Sequence, residues 1–314
     1  MRILPLIALL GGGLAAQVQA AEAQDWLQRL ARAEHQSFQG TFVYERNGSF
    51  STHGIWHRGG ETGITERLLQ LDGSPQEVLR VDGRPQCVSG GLADQMADVQ
   101  WPARHLDAVQ LEKLYELRVL GRSRVAGRPA SVLALVPRDR HRYAFELHLD
   151  EESALPLKSL LINEKGRLLE RFQFVSLQLA DRLAEDALQP GSACKAVSLD
   201  KVSELPPSWK AGWVPPGFEL NQALQRTSPA SSEPVASLLY GDGLARFTVF
   251  LEPLRGVGAE DARSQLGPTA VVSRRMSTAD GDVMVTVVGE IPLGTAERVA
   301  LSMQPAGAVE ASAP

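Results

Sequence analysis

TFVYERNGSFSTHGIWHR, residues 41–58, decides how this chain folds. Apolar and polar side chains alternate through 41–46 and again through 50–58, with Asn47-Gly48 between them. Asn-Gly supplies the two positive-φ residues of a tight hairpin turn, so the stretch reads as two antiparallel strands. A two-residue turn pairs residue 42 with 53 and residue 38 with 57. His53 and His57, four apart on one strand, then lie on one face beside Phe38, Phe42 and Tyr44.

Working outward, period two continues through 64–71 and 77–81, punctuated by Gly59-Gly60, Asp72-Gly73 and Asp82-Gly83. That is a meander with a turn signal about every ten to thirteen residues. Alternation lapses over 90–110 and resumes in strands at 116–125, 130–136, 142–150, 158–163 and 167–178, with turns at Ala126-Gly127 and Glu164-Lys165-Gly166. Upstream, Trp26, Leu27, Leu30 and Ala31 fall on one side of an amphipathic helix and Gln28, Arg29 and Arg32 on the other. One helix followed by consecutive antiparallel strands predicts an α+β domain, not alternating β-α units.

The flanks of this domain read differently. Residues 1–20 hold one charge, Arg2, an apolar run over 3–16, and small residues at Val18 and Ala20. This is the pattern of a secretory signal peptide cleaved before Ala21. An uncleaved anchor is the weaker reading, because the run is short and Gly-rich for a bilayer core. The first domain is therefore expected over 21–189. A proline-rich linker follows over 190–212, then a smaller domain over 213–304 and a frayed tail of small residues over 305–314. The smaller domain shows hairpins at 237–240/244–252 and 269–276/282–290, and a final helix at 296–302 with Thr295 as its expected cap.

Charge and chemistry exclude several functions. Without Arg2 the chain carries 31 basic against 37 acidic residues, which is no nucleic-acid surface. A zinc site at His53 and His57 lacks further ligands at suggestive spacing, so packing within an aromatic surface is the better reading. No nucleophile elbow, Walker loop or dinucleotide fingerprint is present. The chain therefore reads as a binding protein without cofactor, not an enzyme. Cys87 and Cys194 could form a disulfide in an oxidising compartment or remain two buried thiols; spacing does not decide.

Several strands are apolar on both sides: Phe42-Val43-Tyr44, Leu68-Leu69, Leu160-Leu161-Ile162 and Leu168-Leu169. One helix hides one face, and the other face needs a cover too. The segment 96–114 could fold over it, the curved sheet could enclose an apolar cavity, or that segment could be a lid over such a cavity.

The stretches SFQGTFVY (37–44), ERLLQLDG (66–73), WVPPGF (213–218), YGDGL (240–244) and VTVVGEIP (285–292) together resemble the MucB/RseB family, periplasmic regulators of envelope-stress sigma factors of the sigma-E/AlgU type. The similarity runs through the whole chain after the leader. It implies a lipoprotein-carrier-like half-barrel with helices inside, and a small domain that helps bind the periplasmic domain of a MucA/RseA-type anti-sigma factor. Bound regulator would shield that partner from proteolysis, and lipid or a lipopolysaccharide fragment in the cavity would release it. A periplasmic lipid or lipoprotein carrier without the partner is the alternative, and homo-oligomerisation is left open. Phe42, Tyr44, Trp56 and Leu69 are the expected cavity or rim residues, as large apolar side chains on sheet strands. Trp213, Phe218, Tyr240 and Arg255 are the expected partner-side residues; for Trp213 and Phe218, inter-domain packing and turn structure compete with that role.

Overall fold

The computed structural model describes residues 11–60, 63–90, 107–197, 203–204, 208–227, 234–254, 260–279 and 281–306. Helix α1 (Gly11–Ala33) leads into strands β1 (Phe38–Arg46), β2 (Ser49–Arg58), β3 (Thr65–Gln70), β4 (Glu77–Val81) and β5 (Arg84–Val88). Helix α2 (Ala108–Leu114) is followed by β6 (Tyr115–Val125), β7 (Arg128–Pro137), β8 (Ala144–Asp150), β9 (Pro156–Ile162), β10 (Leu168–Leu179) and a short β11 (Lys195–Ala196). Among the described residues these strands form one 11-stranded antiparallel sheet in the order β11-β5-β4-β3-β2-β1-β10-β9-β8-β7-β6. Two meanders thus meet where β1 pairs with β10.

The opening hairpin forms as its sequence requires. Asn47 and Gly48 take φ values of 56° and 74°, and Phe42 faces His53 while Phe38 faces His57. Register shifts at Thr41/Phe42, Val119/Gly121 and His148/Leu149 bend the sheet, since an extra residue on one strand locally increases its twist. The curl brings β6 within reach of β10. The large domain is a half-barrel.

One face of the curve carries nearly all the apolar burial. Around β1, β2, β3 and β10 it presents Phe38, Phe42, Ile55, Leu68, Phe172 and Phe174. Around β6, β7 and β8 it presents Tyr115, Leu133, Leu135, Leu147 and Leu149, against which Trp26, Leu27 and Leu30 of α1 and Leu111 of α2 pack. The expectation of a helix on one face and a pocket on the other therefore needs correction. Helix and aromatic cluster share the inner face, at opposite ends of the curl. On the outer face Trp56 and Leu69 are half-exposed; there Arg67 lies over the Trp56 ring at 4.9 Å and pairs with Glu77 at 2.5 Å.

The small domain has strands β12 (Ser203–Glu204), β13 (Trp209–Ala211), β14 (Glu219–Thr227), β15 (Pro234–Gly241), β16 (Arg246–Leu254), β17 (Ala262–Leu266), β18 (Thr269–Thr278) and β19 (Gly281–Gly289), helix α3 (Leu293–Ser302) and β20 (Met303–Pro305). Seven form a sheet in the order β12-β14-β15-β16-β19-β18-β17, among the described residues, and β13 pairs with β20. Ala296, Val299 and Ala300 of α3 cover Leu238, Val249, Val272, Val285 and Val287. The helix starts three residues before the expected 296. Pro292 stands at its N-cap without a side-chain bond, and Thr295 is turned to another partner.

Of the expected linker 190–212, the described residues 190–197 and 208–212 are tied to neighbouring structure. Cys87 and Cys194 form a disulfide with Cα atoms 5.4 Å apart. Gly191 N donates to Glu77, Lys195–Ala196 extends the sheet beside β5, and Trp209–Ala211 pairs with the end of the chain. The large sheet thus reaches past residue 189.

Candidate functional site

Hairpin register builds the inner aromatic face. His57 stacks on Phe38 with ring centres 4.7 Å apart, and His53 stacks on Phe42 at 5.1 Å. Phe172 and Phe174 complete the cluster from β10, 4.7 Å and 6.1 Å from Phe42. Both histidines are 3% exposed. His57 reaches Glu34 O through Nε2, and its Nδ1 lies 3.4 Å from Glu66, which also meets Arg80 at 3.4 Å. His53 Nε2 bonds Ser51, while among the described residues the buried His53 Nδ1 meets no hydrogen-bond partner. Burial holds the His53 imidazole below the usual histidine range, with Asp72 pulling the other way. Both histidines are packed into the aromatic cluster. Among the described residues no three metal-binding side chains are placed to hold an ion.

The four expected cavity residues do not converge. Phe42 is 2% exposed inside the aromatic cluster. Tyr44 shares that face, but its hydroxyl donates to Glu170 at 2.6 Å, and burial pushes the phenol up. Trp56 is opposite Gln39 and Arg67, and Leu69 opposite Gly54. Side chains alternate along a strand, so Trp56 and Leu69 lie on the outer face. They line no cavity with Phe42.

Three of the four expected partner-side residues, Trp213, Phe218 and Tyr240, fall at the junction of the domains or in the core. Tyr240 is stacked on Phe247 at 5.1 Å inside the small domain. Trp213 lies under the Arg298 guanidinium at 3.8 Å, with His141 of the large domain edge-on at 5.1 Å. Phe218 is 4% exposed, with the Arg142 guanidinium 5.1 Å from its ring. Arg255 lies outside the described residues, as do 96–106 of the expected cover.

That junction is the second constructed site, and no local pattern announces it. Arg142 and Asp242 form an ion pair at 2.5 Å with neither side chain exposed (0% each). Tyr143 Oη donates to Ile291 O at 3.0 Å, and His141 Nδ1 lies 3.1 Å from Thr295 Oγ1. At the far end Arg46, beside Tyr44 and Glu170, donates to Thr269 and lies 3.4 Å from Glu290. Near it a cleft of about 120 Å³ is lined by Arg246, Phe250, Val288 and Glu290.

A family model described as the MucB/RseB N-terminal domain matches residues 22–192, and one described as the C-terminal domain matches residues 203–304. The chain is 62% identical over 315 residues to the sigma factor AlgU regulatory protein MucB of Pseudomonas aeruginosa, covering 99% of this chain and 100% of that protein. It is 31% identical over 248 residues to the sigma-E factor regulatory protein RseB of Haemophilus influenzae, covering 74% of this chain and 75% of that one. A solved MucA/MucB complex from Pseudomonas aeruginosa superposes with a TM-score of 0.80 at 63% identity, over 91% of this chain and 100% of the other. A structure of MucB superposes with 0.72 at 60% identity, over 91% and 98%.

Proposed function

The chain belongs to the MucB/RseB family, and we propose that it restrains an envelope-stress sigma factor by binding the periplasmic domain of a MucA/RseA-type anti-sigma factor. One observation carries this reading: a MucB chain solved with MucA matches this chain at 63% identity with a TM-score of 0.80. Both domains are present, joined through buried contacts, whereas a plain carrier has no evident use for the second. The Cys87–Cys194 bond suits the oxidising periplasm.

The finer part of the proposal concerns control. An acyl chain that opened the closed inner-face cluster of Phe38, Phe42, Phe172 and Phe174 would meet apolar rings, with the His53 imidazole among them. Lipid held there would disfavour the anti-sigma factor, and the bound anti-sigma factor would be shielded from its protease. Linkage demands that each ligand weaken the other by the same factor. Calorimetric titration of the full-length oxidised chain with a MucA-type periplasmic domain tests the core claim. The expected Kd is about 1 µM or tighter, about −8 kcal/mol. No heat and no complex at a hundredfold higher concentration would end it. Repeating the titration in lipid tests the finer part; an unchanged Kd removes lipid sensing and leaves partner binding standing.

A further inference from the structure

We propose that Arg142 is an interdomain latch, and that opening of its pair with Asp242 is the step by which a ligand on the large domain's inner face withdraws the partner-binding form. The regulatory half of this rests on the reading under Proposed function; the latch itself does not.

Arg142 stands in the loop between β7 and β8, and its side chain is fully buried. The guanidinium presents donors in a fixed fork, and that fork is engaged on both edges. Nη1 donates to Asp242 at 2.5 Å, and Nη2 to Pro216 O at 2.6 Å and to Asp139 at 2.9 Å. Nε donates to Asp139 at 3.2 Å. Asp139 belongs to the same loop and aims the fork; Asp242, Pro216 and Phe218 belong to the small domain. One large-domain side chain therefore meets three small-domain residues in a single orientation. Asp242 is held just as tightly from its own side, accepting from Leu244 N at 2.9 Å and Ala245 N at 2.7 Å. Burial pushes its carboxyl up, while these amides, Arg142 and the Tyr115 hydroxyl work to keep it ionised.

The seam continues into α2. Tyr115, whose hydroxyl donates to Asp242 at 3.4 Å, follows α2 directly. Gly217 has φ +81°, and a Cβ there would fall 2.6 Å from both Leu114 methyls. A Cβ on Gly243 would lie 4.0 Å from a Leu111 methyl. The same Leu111 packs with Trp26 and Leu27 of α1 against the inner face. So α2 touches the inner-face core on one side and two small-domain turns on the other. A ligand that displaced α2 would pull on Tyr115 and Asp242 together. A buried ion pair adds little to stability over an apolar isostere, yet is strongly unfavourable when one partner is withdrawn. That asymmetry suits a latch, because intermediate positions are penalised.

The test uses the full-length oxidised chain with spin labels carried by non-canonical residues at exposed Leu120 and Leu301, one on each domain. Arg142→Met with Asp242→Asn removes both charges. The carboxamide oxygen that replaces the carboxylate can still accept from the Leu244 and Ala245 amides, so the turn survives. Against a narrow wild-type distance distribution, the double variant should at least double the width, and its affinity for the MucA-type periplasmic domain should fall tenfold or more. Dihexanoyl phosphatidylglycerol should broaden the wild-type distribution in the same way. If the double variant loses its near-UV circular dichroism, Asp242→Asn alone carries the measurement. An unaltered width overturns the latch whatever the partner does. Broadening with unaltered affinity, or no response to lipid, overturns the regulatory step. A wild type that is narrow, and broadened by the variant, yet binds no partner overturns the functional reading and supports the latch.

Discussion

Phe42 and His53 meet face to face across β1 and β2, and both are shut off from water. An imidazole so placed is held neutral, because its charge would lose hydration that the phenyl ring and Ser51 do not replace. The sign of the pH effect follows. Unfolded histidine takes a proton near pH 6.5; His53 in the folded chain does so only at lower pH. Below about 6.5 the unfolded state binds more protons, so stability falls as pH drops through that window. Urea unfolding at pH 7.5 and 5.5 should show the loss, and His53→Phe should reduce it. His141 and His148 are also held low by burial, so the slope should flatten without vanishing. Equal slopes in wild type and variant would show that His53 is not the group. The two faces of the sheet give a second contrast. Phe42→Ala empties a closed site and should remove about 3–5 kcal/mol. Trp56→Ala loses a half-exposed ring and a cation–π contact, and should remove about 1 kcal/mol. Comparable losses from the two would contradict their placement on opposite faces.

At the scale of elements, β5 and β11 depend on a covalent tie. The disulfide closes a loop of 107 residues, for which chain entropy predicts about 4–5 kcal/mol. Reducing the chain, or changing Cys87 and Cys194 together to Ser, should lower unfolding stability by up to that amount. Hydrogen exchange at Val197 N, which bonds Gln86 O, should speed up before exchange in β1 does. Uniform acceleration across the sheet would mean the tie holds more than its own edge. Elements were legible where turn chemistry or burial left a local mark. Asn47-Gly48 sets the first register, and the strands from β7 to β10 alternate or run apolar. Strand β17 left none, because all five of its residues are exposed. Strand β5 opens on Arg84-Pro85, which reads as a turn, and polar β14 is recruited by pairing with β15. Thr295 looked like a cap because Ser or Thr before an apolar run usually is one; its hydroxyl instead meets His141 across the junction.

At the scale of the molecule, what stayed hidden is curvature and long-range contact. Two-sided apolar strands suggested a cover on both faces, whereas the burial gathers on the inner face and Trp56 and Leu69 stay half-exposed outside. Phe42 and Leu69 therefore looked alike in the sequence although they face apart. Arg142 and Asp242 are 100 residues apart, and Arg46 and Thr269 are 223 apart; no periodicity connects such pairs. A proline-rich linker would leave few contacts crossing between the domains. The contacts that matter cross elsewhere, at a junction that seals a charged pair from water. A junction of that kind should make the domains lose their structure together, since parting them uncovers Arg142 and Asp242 and strands Phe218 and Leu114. Scanning calorimetry of the oxidised chain should show one transition, with calorimetric and van't Hoff enthalpies in agreement. In Arg142→Met with Asp242→Asn the small domain should melt separately and earlier, while the disulfide-tied half-barrel keeps its midpoint. Two transitions already present in the unaltered chain would mean that the domains touch without being coupled.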